Sequence, residues 1–96
     1  MNQEVKPSLV SVIVVNYNGA ALLPRCLEAL AAQTFRGFEL ILVDNASTDT
    51  SLAAVEANPP AVPSLRLLRL ERNLGFAAAN NLAARQAHGR WLALLN

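Results

Sequence analysis

Residues 38–49 read FELILVDNASTD, a mostly apolar run from Phe38 to Val43 followed by two carboxylates, an amide and two hydroxyls. A run of six such residues suits a strand covered on both faces. The polar tail can be a turn that starts a helix or a loop that binds something. The same arrangement recurs along the chain. Leu9 to Val15 (LVSVIVV) leads into NYNG, Leu65 to Leu70 (LRLLRL) into ERNLG, and Trp91 to Leu95 (WLALL) into Asn96. Helical spacing fills the intervals. Leu22, Leu23, Cys26, Leu27 and Leu30 form an apolar stripe, with Pro24 tolerable in a first turn and Gly37 as a stop. Ser47 or Thr48 is expected to cap a second helix, with Asp49 at its positive end. That helix fades into the proline-rich connection NPPAVPS, Asn58 to Ser64. A third helix is expected from about Phe76 to Ala87, with His88 in its last turn and Gly89 ending it. Strands alternating with helices predict right-handed crossovers and the α/β class: an open, mainly parallel sheet in three α/β/α layers.

Composition narrows the function. The chain has 96 residues, 53% hydrophobic and 16% charged, with a net charge of +1. These values describe a globular domain without the basic footprint of a nucleic-acid partner. Cys26, the single cysteine, reads as a small core thiol among leucines. Trp91 also reads as core, and His88 as a surface residue. No leader pattern or membrane-length apolar run is present in the sequence, and a cytoplasmic, reducing setting is expected. The inner face of a membrane stays open for a larger parent protein.

Ligands of open α/β sheets bind beyond the carboxyl ends of the strands, where helix N-termini also point. NYNG, DNASTD, RNLG and Asn96 all fall on that rim, whereas QTFRG, NPPAVPS and AHGR lie at the other. Neither glycine-rich phosphate cradle is present, because NYNGAALLP has one glycine and no lysine. What remains is a rim rich in acceptors. Asn16, Tyr17 and Asn18 offer amides and an aromatic face, Asp44 an acceptor for a base or sugar donor, and Arg72 a cation for an oxyanion or a ring.

In order and spacing, VSVIVVNYNG, ELILVDNASTD, RNLGFAAANN and WLALLN resemble the opening of family 2 glycosyltransferases of the GT-A fold, from about Ser8 to Asn96. DNASTD and NLGFAAANN resemble the rhamnosyltransferase-like branch. The resemblance implies a donor-nucleotide site made by Asn16, Tyr17, Asn18, Asp44, Asn45, Arg72, Asn73 and Gly75, with Asp44 on the base. Asn73 and Gly75 serve either as pocket wall or only as a turn with positive φ. Asn81 corresponds to the family's helix asparagine and reads best as bonding a neighbouring loop's backbone. The Ser47–Asp49 segment starts the helix behind Asp44.

The resemblance further implies transfer of a sugar, with inversion, from a nucleotide-diphosphate donor, UDP or dTDP favoured, to a glycan or lipid-linked acceptor in polysaccharide or cell-envelope synthesis. Mg²⁺ or Mn²⁺ would be held just after Asn96, where the family's metal motif opens, and the general base would lie further on. Residues 1–96 are thus expected to be the nucleotide-sugar-binding part of a larger domain, inactive alone and prone to self-association through an exposed sheet edge. The alternative is a noncatalytic α/β nucleotide-binding or interaction module.

Overall fold

The computed structural model describes residues 8–95. Seven elements follow in strict alternation: β1 (Val10–Asn16), α1 (Leu23–Ala31), β2 (Phe38–Asp44), α2 (Ser51–Ala57), β3 (Leu65–Arg69), α3 (Phe76–Arg85) and β4 (Trp91–Leu95). The strands form one sheet in the order β3-β2-β1-β4, and every neighbouring pair is parallel. The sequence reverses direction across the sheet between β1 and β4, which places the switch point beside β1. The expected open, parallel α/β architecture is therefore present.

Each face has its own apolar layer. On one, Val12, Val14, Leu40 and Leu42 pack with Leu23, Leu27 and Leu30 of α1 and Val55 of α2. On the other, Ile13, Ile41 and Val43 meet Ala79 and Ala83 of α3. The alternation of these residues along β1 and β2 is the period-two consequence of a pleated strand covered on both sides. Small side chains on α3 let that helix lie close to the sheet. All seven residues of β2 are buried, and its four central side chains are at most 1% exposed. Among the described residues, no helix is long and apolar enough to cross a membrane.

Several expected helix ends differ. α1 stops at Ala31, well before Gly37, and α3 stops at Arg85, so that His88 lies beyond the helix and not in its last turn. Gly89 instead serves a close approach: a Cβ there would come within 2.5 Å of the Ser11 backbone nitrogen. Neither Ser47 nor Thr48 caps α2, which begins at Ser51 after Thr50. Asp44 in the same loop holds Ser47, and Asn18 of the β1 loop holds Thr48. Asp49 does meet the helix start, accepting the Ser51 N–H at 3.0 Å. Cys26 is only partly enclosed, at the margin of the α1 layer. Trp91, expected in the core, is 67% exposed. Among the described residues β4 has a neighbouring strand on one side only. Asn96 lies outside the described residues.

Candidate functional site at the carboxyl rim of the sheet

Asn16 and Asp44 end β1 and β2 and are register partners. Both are buried. The Asn16 amide donates to Asp44 Oδ1 at 2.9 Å and to Ser51 Oγ at 2.9 Å, with Ser47 Oγ further off at 3.2 Å. Asp44 Oδ1 also accepts the Ser47 hydroxyl at 2.7 Å, and Oδ2 accepts the Ser47 N–H at 3.1 Å. A carboxylate that accepts a backbone N–H three residues ahead fixes a tight turn. Within that turn Ala46 adopts φ +63°, a left-handed conformation unusual for a residue with a Cβ. Gly19 is required here for space, because a Cβ there would come within 2.3 Å of Asn16 Oδ1.

The β1 loop and the β2 loop are joined by side chains. Asn18, at φ +51°, accepts the N–H groups of Thr48 at 2.7 Å and Asp49 at 3.2 Å on its Oδ1. Its own N–H donates to Ser47 Oγ at 2.9 Å, and the Ala20 N–H donates to Asp49 Oδ2 at 3.1 Å. The hydroxyl and N–H of Ser51, with the Ala20 N–H, hold the Asp49 carboxyl below the usual carboxylate range.

Asn45 extends the connection to the third loop. Its Nδ2 donates to the Gly75 carbonyl at 3.2 Å, and its Oδ1 accepts the Leu74 N–H at 2.8 Å. Asn73 accepts the Gly75 N–H at 2.8 Å, and Gly75 takes φ +86° immediately before α3. Asn73 and Gly75 therefore form a positive-φ turn, one of the two readings of this pair, and the geometry leaves the pocket reading open. Among the described residues no side chain caps α3, and its first turn carries no acidic residue, so its N-terminal N–H groups face the rim without a side-chain acceptor from those residues.

The structure thus divides the expected residues into two groups. Asn16, Asp44 and Asn45 lie beneath the rim, bonded within the chain. Tyr17, Asn18, Arg72, Asn73 and Gly75 are at the surface. Tyr17 is 51% exposed, and Arg72 makes no hydrogen bond or ion pair among the described residues. Leu74 and Phe76, also exposed, add apolar surface that was not anticipated. Their position beside a rim glycine was the available signal. Asn81 is exposed on α3, and it is Asn80 that is buried, donating to the Phe76 carbonyl at 3.0 Å. Among the described residues, no three His, Cys, Asp or Glu side chains converge to hold a metal.

The model of Glycosyl transferase family 2 matches residues 11–96. The chain belongs to this family. Its fold agrees with solved GT-A members. S. aureus TarS 1–349 in complex with UDP aligns with TM-score 0.80 and 35% identity over 90% of this chain and 26% of that one. A mannosyltransferase from Pyrobaculum calidifontis in complex with GDP-Man and Mn²⁺ aligns with TM-score 0.69 and 33% identity over 91% and 28%. Among curated relatives, the succinoglycan biosynthesis protein ExoO of Rhizobium meliloti is 38% identical over 87 residues. A PGL/p-HBAD biosynthesis glycosyltransferase of Mycobacterium bovis is 36% identical over 87 residues. The chain spans 24% and 34% of the lengths of these two relatives.

Proposed function

We propose that residues 1–96 form the donor-nucleotide part of an inverting family 2 glycosyltransferase that transfers a sugar from a nucleotide-diphosphate donor to a glycan or lipid-linked acceptor. The observation that carries this reading is the joined rim. Three loops at the strand ends are bonded into one platform, and Tyr17, Arg72 and the open N-terminus of α3 stand on it. An aromatic face, a cation and free N–H groups suit a base, a ring or oxyanion, and a phosphate respectively. The printed names of the relatives support envelope or polysaccharide glycan synthesis as the setting, and the complexes of TarS with UDP and UDP-GlcNAc support a uridine donor.

In this reading Asp44 remains the base acceptor. Three of its roughly four lone-pair sites are taken within the chain, which leaves one on Oδ2. Because Asp44 is only 3% exposed, a base must reach it edge-on. Asn16 and Asn45 act by fixing the loops, while Asn18, Asn73 and Gly75 shape the surface. Mg²⁺ or Mn²⁺ on the diphosphate is proposed for the whole enzyme, with ligands outside the described residues.

Calorimetric titration with UDP, dTDP and GDP, each with and without Mn²⁺, tests the proposal. UDP or dTDP should bind, and Tyr17→Ala and Asp44→Asn should each weaken binding at least tenfold. Absence of heat with every nucleotide rejects the donor-site reading. Unchanged binding by both variants rejects the residue assignment.

A further inference from the structure

The rim opposite the candidate site contains a buried carboxylate that the proposed function does not use. Glu39, near the start of β2, is 3% exposed, and its neighbour across β1, Ser11, is fully buried. Glu39 Oε2 accepts the Ser11 hydroxyl at 2.6 Å and the His88 N–H at 2.7 Å. Ser11 Oγ in turn accepts the Gly89 N–H at 2.8 Å. The Arg66 guanidinium from β3 faces the carboxylate 3.5 Å from Oε1, and the His88 ring lies 3.9 Å from Oε1. Arg66 also donates to the Gln86 carbonyl at 2.5 Å. Burial pushes the Glu39 carboxyl up, but the Ser11 hydroxyl, the His88 N–H and the positive charge of Arg66 outweigh it and leave it below the ordinary value.

The targets of these bonds lie close together. Gln86, His88 and Gly89 belong to the short connection from α3 to β4, and Arg90 and Trp91, which follow, both donate to the Leu9 carbonyl at 2.9 and 3.2 Å. A Cβ at Gly89 would also collide with Ser11, so this connection lies directly on β1. β4 itself buries little: three of its five residues are exposed, and only Ala93 and Leu95 pack, partly buried, against the α1 layer. Packing therefore does little to fix where β4 sits along β1. A strand with weak burial is the kind whose register is poorly specified by side chains alone.

We infer that Glu39 is a positioning residue: from β2 it anchors the α3–β4 connection and thereby sets the register of β4 against β1, which forms the switch-point side of the nucleotide rim. An apolar residue at this position would leave the His88 N–H and the Ser11 hydroxyl without their acceptor. A polar side chain on a neighbouring strand supplies an anchor that β4 cannot supply for itself. The consequence for nucleotide binding rests on the function proposed above. The anchoring of β4 does not.

Amide hydrogen exchange of the full chain, followed by NMR, tests the anchor directly. In Glu39→Ala, β4 amides should lose at least tenfold more protection than the Ile41 and Leu42 amides of β2. Glu39→Gln, which can still accept from Ser11 and His88, should restore most of the difference. General destabilisation would instead speed all these amides in parallel, and that result overturns the inference. If Glu39→Ala does not fold, Ser11→Ala, which leaves the Gly89 N–H without its acceptor and takes one donor from Glu39 Oε2 but keeps the bond from the His88 N–H, carries the same comparison with a smaller effect expected. UDP titration of the same variants adds the functional arm. If wild type binds and β4 loosens without a change in affinity, the consequence for nucleotide binding is overturned and the anchor stands. If wild type does not bind, the donor-site reading fails and exchange still decides the anchor.

Discussion

Replacing Ala46 with glycine should stabilise this protein, although the change removes a methyl group and adds freedom to the unfolded chain. Ala46 sits at φ +63° in the turn closed by Asp44 and Ser47. An L-residue in that conformation carries about 1–2 kcal/mol of strain from its Cβ against the following carbonyl oxygen, and glycine carries none. Against this stands about 0.4–1 kcal/mol from the larger conformational freedom of glycine when unfolded. The difference leaves a gain of roughly 0.5–1 kcal/mol, which for a domain of this size raises Tm by about 2–8 °C. The control is Ala53→Gly, the same chemical change at an exposed position inside α2. There glycine should destabilise by about 1 kcal/mol, because the native conformation is helical. Urea unfolding at constant m, with thermal melts at several protein concentrations, measures both variants. A lower midpoint for Ala46→Gly would refute the reasoning, and equal shifts for both variants would show that backbone conformation is not the cause.

Gly19→Ala should destabilise by about 1–3 kcal/mol, because its Cβ would be driven against the Asn16 amide; an unchanged melting midpoint would show that the β1 loop can shift. The carboxyls of Glu39 and Asp49 both lie below their ordinary values when folded, so each contributes stability that is full above the unfolded carboxylate range and is lost as pH falls through the folded values. Stability measured by urea unfolding should therefore fall from about pH 5 to pH 3, and Glu39→Gln should flatten that fall. β4 exposes Trp91, Leu92 and Leu94 at an edge of the sheet. Concentration-dependent association is accordingly expected in ultracentrifugation, and Leu94→Lys should weaken it; a strictly monomeric wild type would contradict this.

The class of the fold is legible in the sequence because strands buried on both faces must be short runs of branched and aliphatic residues, as Val10–Val15 and Leu40–Val43 are. Asparagine and glycine after each run mark where the chain turns. What fails to show are arrangements set by residues far apart in the chain. Ser47 and Thr48 have good capping chemistry, yet Asp44 and Asn18 claim their polar groups, and α2 starts further on. Asp44 and Asn45 look like exposed turn residues until parallel pairing sets Asp44 beside Asn16 and encloses it. Trp91 looks like core because its aromatic bulk usually is, but burial depends on a lateral neighbour that local sequence does not report. The left-handed turn at Ala46 is hidden for a different reason: alanine gives no sign of positive φ.

The single amide oxygen of Asn18 serves two N–H groups some thirty positions later in the chain. One side chain thus ties the lengths of two loops together. An insertion or deletion in either loop alone would move Asn18 out of reach of both, and the turn around Asp44 would lose its outer support. Attempts to exchange these loops with those of another family member should therefore transplant residues 16–20 and 44–51 as a matched pair, since either half alone would arrive without its counterpart.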